Sequence, residues 1–412
     1  MIVCILGRQP ELGIAELESV VGSDRIKPIG PCAALVDSKT ALNQNNLGGT
    51  IKMAELIKEV DSTEINSVMS ALRDTVIECM SVDVAHKQTF GISAYGLNIS
   101  ARRISELSFL IKKSLKAKSV SVRAIISNST TLNSAQVIHN GLTGRSGSEF
   151  IVVSDKHRSY IARTISVQDI DSYSKRDYER PRRDMRVGML PPKLAQIMLN
   201  LAKAEPRLTV LDPFCGTGVV LIEAALMGLK LEGSDIKREM ITNSKENLEW
   251  LAKEYHIKVD QHISCADATI NKWKHFDRVV TETYLGPQPP RNPDPAAINR
   301  IATECNFLVF RFLKNLRGQI GAETRCCIAI PAWPTKGGII RLPLAKQIEK
   351  IGYTEIRFKN AGRNGLIYMR PDQYVARELL VLVPKNNQKG NLRSPHINKD
   401  LQPYTQRLNN GK

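Results

Sequence analysis

Nowhere in this chain do roughly 20 apolar residues run together, the length a membrane-spanning helix needs. The start, Met1-Ile-Val-Cys-Ile-Leu-Gly7, is apolar but short, without a positive leader or cleavage site, and reads as a first strand, not a signal peptide. The eight cysteines include no CxxC pair and stand beside no histidine at zinc spacing, so no metal is expected. They read as small buried hydrophobes kept reduced, which makes the cytosol the expected compartment. Internal repeats and low-complexity tracts are also missing, which argues against a solenoid or an array.

What is present is length and positive charge. A chain of 412 residues exceeds one ordinary core and implies two to four domains. With 42% apolar and 24% charged residues it has the balance of a globular protein. The net charge of +17 attracts polyanions and points to a nucleic-acid partner.

The organisation follows from periodicity. Ile2 to Leu6 reads as a strand, Leu12 to Val21 as a helix and Ala33 to Val36 as a second strand. A further unit alternates helices (Ile65 to Ile77, Ile104 to Leu115) with strands (Thr89 to Tyr95, Ser119 to Ile126, Glu149 to Val153, Ser159 to Val167). Residues 168–192 are dense in charge and read as an ordered or semi-ordered linker ending at Gly188-Met-Leu-Pro-Pro192. From 193 to 384 strands and helices alternate as in a doubly wound α/β domain, with an antiparallel finish. The remaining 385–412 is polar, basic and expected to be disordered.

The chemistry concentrates at Val210-Leu-Asp-Pro-Phe-Cys-Gly-Thr-Gly218, a buried strand running into a glycine turn that opens a helix. Such glycines let a ligand approach the backbone and leave N–H groups pointing outward. The third glycine of the dinucleotide-binding GxGxxG is missing. Asp212 stands where it can reach the amino end of the methionine moiety of S-adenosylmethionine (SAM). Asp235 ends the second strand, where a carboxylate takes ribose hydroxyls, and Asp267 ends the third, where it accepts from an adenine amino group. Each aspartate alone is as readily a helix cap; the three in register on one sheet edge are more persuasive than any one.

Asp212-Pro-Phe-Cys-Gly-Thr-Gly218 resembles the SAM loop of class I methyltransferases that modify exocyclic amines of nucleic-acid bases. The nearest resemblance is to the THUMP-containing tRNA guanine-N2 methyltransferases acting at guanosine 10. Residues 169–184 and 188–195 resemble that family's linker and the segment after it; Phe90-Gly-Ile-Ser-Ala-Tyr95, Ser121-Val-Arg123 and Leu132-Asn-Ser-Ala-Gln136 resemble its THUMP region. The resemblance implies a ferredoxin-like amino-terminal α+β domain (1–62), a THUMP-like RNA-binding domain (63–167), the linker (168–192) and a Rossmann-like SAM-dependent methyltransferase domain (193–384). It further implies SAM as cofactor, held by Asp212, Phe214, Gly216, Thr217, Gly218, Asp235 and Asp267, and tRNA as partner. Whether a small activating subunit joins it is left open.

One departure concerns the catalytic loop. The family carries Asp- or Asn-Pro-Pro-Tyr after the fourth strand, and here the stretch is Thr281-Glu-Thr-Tyr-Leu-Gly286. An exocyclic amine is a poor nucleophile because its lone pair is delocalised into the ring. Acceptors for its hydrogens free that pair, and an aromatic ring holds the base flat. Tyr284 keeps the stacking role. Glu282 supplies the acceptor, displaced by one residue and longer by one methylene, with Thr281 a weaker substitute. Three readings stay open: an active site on Glu282 and Tyr284, a catalytically silent SAM-binding RNA protein, and an amino-methyltransferase acting on another RNA or on DNA.

The front half suits RNA. Arg102, Arg103, Lys112, Lys113, Lys116 and Lys118 line a helix whose Ile104, Leu107, Ile111 and Leu115 face the core. In the linker, Lys175, Arg176, Arg180, Arg182 and Arg183 either clamp phosphates or are tied into internal ion pairs by Asp177, Glu179 and Asp184. His139 and His262 lack partners at useful spacing, and Cys215 reads as a small side chain in a ligand turn, not a nucleophile.

Overall fold

The computed structural model describes residues 1–37, 42–81, 86–183, 189–287, 295–335, 337–370 and 373–385. The front half runs β1 (Ile2–Leu6), α1 (Pro10–Val21), β2 (Ile26–Ile29), β3 (Ala33–Val36), β4 (Thr50–Val60), α2 (Ile65–Met80), β5 (Gln88–Tyr95), α3 (Ala101–Ala117), β6 (Val122–Ile125), α4 (Ser134–His139), β7 (Gly147–Ser154) and β8 (Ser159–Val167). Its eight strands make one sheet in the order β2-β3-β1-β4-β8-β7-β5-β6. The expected division at residue 62 therefore does not interrupt the sheet, because β4 pairs with β1 on one side and β8 on the other.

Strand β4 is absent from the sequence expectations for a physical reason. Its pattern is inverted: Lys52 is fully buried while Ile57 is exposed. The lysine is tolerated inside because it pairs with the buried Glu149 and donates to the Leu132 carbonyl at 2.7 Å. Glu149 also accepts from Ser93 at 2.6 Å and Thr164 at 2.7 Å, so both charges have partners. Helix α3 follows its sequence pattern, with Ile104, Leu107, Ile111 and Leu115 buried beneath an exposed face that carries Arg102, Arg103, Lys113 and Lys116.

The charged segment after β8 is ordered. It folds as α5 (Ile170–Tyr178), started by Asp169, whose side chain accepts from Ser172 N at 3.0 Å. Its cations are used internally. Arg176 forks onto buried Glu223 at 2.7 and 3.3 Å, Lys175 pairs with Glu254, and Arg182 meets Glu246 at 2.6 Å. Arg180, buried, donates to the Arg176 carbonyl at 2.9 Å. Lys175, Arg176 and Arg182 thus form ion pairs, but with Glu254, Glu223 and Glu246 rather than with the expected Asp177, Glu179 and Asp184. The Gly188 turn, with 184–187, lies outside the described residues, as does nearly all of the expected tail, 386–412.

The back half comprises α6 (Pro192–Leu201), β9 (Thr209–Asp212), α7 (Val219–Leu226), β10 (Lys230–Asp235), α8 (Arg238–Glu254), β11 (Gln261–Cys265), β12 (Arg278–Glu282), α9 (Pro295–Arg317), β13 (Arg325–Thr335), β14 (Gly338–Arg341), β15 (Tyr353–Glu355), β16 (Ile367–Tyr368) and β17 (Ala376–Pro384). The sheet order is β11-β10-β9-β12-β13-β17-β15, with β9 to β13 parallel and β17 antiparallel. After β11 the chain crosses back past β9 to β12, so the topological switch point lies between β9 and β12, where open α/β sheets bind ligands.

The two halves share a core. Leu6, Leu12 and Leu17 pack in the same cluster as Leu194, Met198 and Leu221. Helix α1 reinforces this joint with carboxylates: Glu16 accepts from Asn200 at 2.7 Å and from the N–H groups of Gly48 and Gly49. Glu18 accepts from the N–H groups of Lys359 and Asn360 at 2.7 and 2.8 Å. Complete burial pushes the Glu16 carboxyl up to about 7 against the pull of those donors.

Candidate active site

At the carboxyl ends of β9, β10, β11 and β12 lies a cavity of about 310 Å³. All seven residues expected to hold a cofactor are at or beside it. Asp212, Phe214, Gly216, Thr217, Asp235 and Asp267 line the wall, together with Glu282 and Tyr284, and Gly218 stands between the lining residues Thr217 and Val219.

The turn after β9 is shaped by two glycines. Gly216 has φ +51°, and a Cβ there would meet no atom within 4 Å, so it opens directly onto free space. Gly218, at φ +85°, begins α7, and a Cβ would come within 2.5 Å of the Ser244 hydroxyl. Cys215, just before Gly216, is buried, its backbone N–H bonded to the Ser234 carbonyl at 2.9 Å. Burial drives its thiol far above the ordinary range, which suits a small packing residue and not a nucleophile.

Asp212 is only 2% exposed. It accepts from the Thr281 hydroxyl at 2.6 Å and the Phe214 N–H at 3.2 Å. Burial pushes its carboxyl up to about 7, and the neighbouring charges of Asp235 and Glu282 add to the shift. Thr281, fully buried, thus touches the carboxylate of the glycine loop; this contact was not foreseen from sequence. Asp235 accepts from the N–H groups of Gly216 at 3.0 Å and Lys237 at 2.9 Å, which staples the turn to the second strand. Burial raises this carboxyl too, against those donors. Asp267, half-buried, takes the Thr269 N–H at 2.8 Å. Phe214 stands edge-on to Phe312 with centroids 5.1 Å apart.

On the far wall, Tyr284 is 39% exposed. Glu282 faces the same cavity, and its Oε1 accepts from Nε of Arg377 at 2.6 Å. Burial raises the Glu282 carboxyl while the guanidinium opposes the rise. Sequence reasoning missed Arg377, which comes from the last strand and carries no motif. His262 bonds Glu232 at 3.0 Å, and among the described residues no group of His, Cys, Asp and Glu could hold a metal.

Residues 180–286, which carry this cavity's glycine turn and far wall, match the family described as RMKL-like, methyltransferase domain. The chain is 37% identical over 144 residues to tRNA (guanine(10)-N2)-dimethyltransferase of Pyrococcus abyssi, covering 35% of this chain and 39% of that protein. It is 37% identical over 182 residues to the protein of that name from Methanothermobacter thermautotrophicus, covering 44% and 49%. The chain thus spans less than half the length of either relative. Among solved structures, TrmN from Thermus thermophilus superposes with a TM-score of 0.52 at 14% identity, over 93% of this chain and 99% of that one. That likeness is one of fold, and it extends over both halves of the chain.

The residues present fit that fold's cofactor, SAM. SAM carries an ammonium and a sulfonium, and the described lining of the cavity presents four carboxylates, Asp212, Asp235, Asp267 and Glu282, against one lysine, Lys237, with Glu282 alone paired to an arginine, Arg377. Gly216 leaves the space that a side chain would fill. Either feature alone is common; a cationic ligand answers both.

Proposed function

We propose that this chain transfers a methyl group from SAM to the N2 amine of a guanosine in tRNA. The observation that carries the reading is one cavity with cofactor-type carboxylates on one wall and Glu282 with Tyr284 on the other. The similarity to tRNA methyltransferases and the basic face of α3 support it. SAM supplies an electrophilic methyl group. Asp212 would hold its ammonium, Asp235 its ribose hydroxyls through lone pairs not used by Gly216 and Lys237, and Asp267 its adenine amine. Glu282 accepts a hydrogen of the guanine N2 amine and so returns the lone pair to nitrogen. Tyr284 holds the base plane, and Thr281 keeps Asp212 in place. The amine's proton leaves through Glu282 to solvent.

No helix among the described residues is long and apolar enough to cross a membrane. The test is incubation with isotopically labelled SAM and unmodified tRNA, then digestion and nucleoside mass spectrometry. Label in N2-methylguanosine or N2,N2-dimethylguanosine supports the reading. Absence of label, with SAM and tRNA binding both measured, refutes it in favour of a catalytically silent RNA-binding protein.

A further inference from the structure

Glu282 is an awkward acceptor on its own. It has one more rotatable bond than an aspartate, and the loop that follows lacks the prolines that would stiffen it. Burial also favours the protonated form, which cannot accept two hydrogens. The structure supplies what the loop lacks from another strand. Glu282 is in register with Ala329 on β13, and Arg377 of β17 is in register with Pro331 two residues along. Lateral partners share a face, so Glu282, Ala329, Pro331 and Arg377 lie on the same side of the sheet. The flanking strands are about 9–10 Å apart, two strand spacings. Only long side chains bridge that gap, and the small Ala329 leaves the path above β13 open. The guanidinium is 1% exposed and itself fixed, with Nη1 donating to the Gln373 side chain at 2.9 Å.

We propose that Arg377 is the positioning residue of the methyl-acceptor site. It pins Oε1 of Glu282, turns Oε2 toward the base amine, and keeps the carboxyl ionised inside the cavity wall. A rigid guanidinium replaces a rigid proline turn. Arg377 does not touch the substrate; it acts through Glu282. The inference rests on the proposed role of Glu282 in methyl transfer.

The experiment compares the parent protein with Arg377→Gln, Arg377→Lys, Glu282→Gln and the Glu282→Gln/Arg377→Gln pair. Single-turnover methylation of tRNA is followed from pH 6 to 9, with SAM affinity measured by calorimetry for every variant. Arg377→Gln is expected to lower the methylation rate at pH 7 by about ten- to a hundredfold, the loss of one charged hydrogen bond. Its SAM affinity stays within about twofold of the parent, and the acid limb of its rate profile moves up by about one pH unit or more. Arg377→Lys keeps the limb near its parental position because it keeps the charge. In the Glu282→Gln background, Arg377→Gln has no further effect.

A parental rate and limb in Arg377→Gln, or additive losses in the pair, overturn the proposal while leaving the methyltransferase reading intact. Equal losses of rate and SAM affinity in both Arg377 variants also overturn it, since that is the mark of a merely structural ion pair. Absence of label from the parent protein overturns both readings. If Arg377→Gln fails to fold, Arg377→Lys and the charge-free pair carry the same comparison.

Discussion

Replacing Asp212 by Asn removes the carboxyl whose ionisation the proposed cofactor must command. Burial holds that carboxyl at about 7, against an ordinary value of 3.8. The sign follows from proton binding: the folded state keeps a proton that the unfolded chain releases. This group therefore weakens the fold as pH rises from about 4 to about 7. A bound ammonium reverses the preference by selecting the carboxylate. Affinity should then be reduced by a factor of roughly 11 at pH 6, but only about 1.1 at pH 8, an overall tenfold change. At pH 7 about half a proton should leave the site for each SAM bound. Calorimetry at pH 6, 7 and 8, in two buffers of different ionisation heat, measures both quantities. The Asp212→Asn variant shows the ligand's own amine titration, so the difference between the two proteins isolates the carboxyl. Parallel profiles for parent and variant, with equal proton release, would refute the assignment of Asp212 to the ammonium.

The Arg176–Glu223 pair is buried on both sides, so Arg176→Met or Glu223→Leu alone should cost about 3–5 kcal/mol in denaturant unfolding of the back half. The double replacement should recover most of that loss, and two additive losses would argue against the pair. Gly216→Ala meets no neighbouring atom but forces an alanine to φ +51° and puts a methyl into the cavity. A melting temperature lowered by only a few degrees with SAM affinity reduced at least about tenfold is expected, and unchanged affinity would contradict the cradle. Lys113→Glu with Lys116→Glu should weaken tRNA binding and make it less salt-dependent, the logarithmic slope falling by about 0.7–0.9 for each phosphate no longer neutralised. An unchanged slope would move the RNA path off α3.

The extent to which the sequence was legible differs between the cofactor and acceptor walls. Asp212, Gly216, Gly218 and Asp235 were legible because adjacent elements build the cofactor wall: a buried strand, a turn requiring positive φ, and a helix start within a few residues. Local chemistry leaves local signals. Strand β4 was not legible, because Lys52 occupies a core position that only Glu149, 97 residues away, makes tolerable. The cations of α5 were ambiguous for the same reason: arginines beside carboxylates read equally as an RNA clamp or as internal pairs until α7 and α8 supply Glu223, Glu246 and Glu254.

By itself, then, the sequence determined the alternation of strands and helices, the glycine turn and the carboxylates at successive strand ends, all consequences of residue periodicity and backbone freedom. Only the tertiary structure decided that the front strands join in one sheet, that Thr281 serves Asp212, and that Arg377 reaches Glu282 across β13. The physical reason is range. Propensity and φ restrictions act over a few residues, whereas a buried charge is settled by whichever partner the fold brings to it, and that partner's place in the chain is unconstrained.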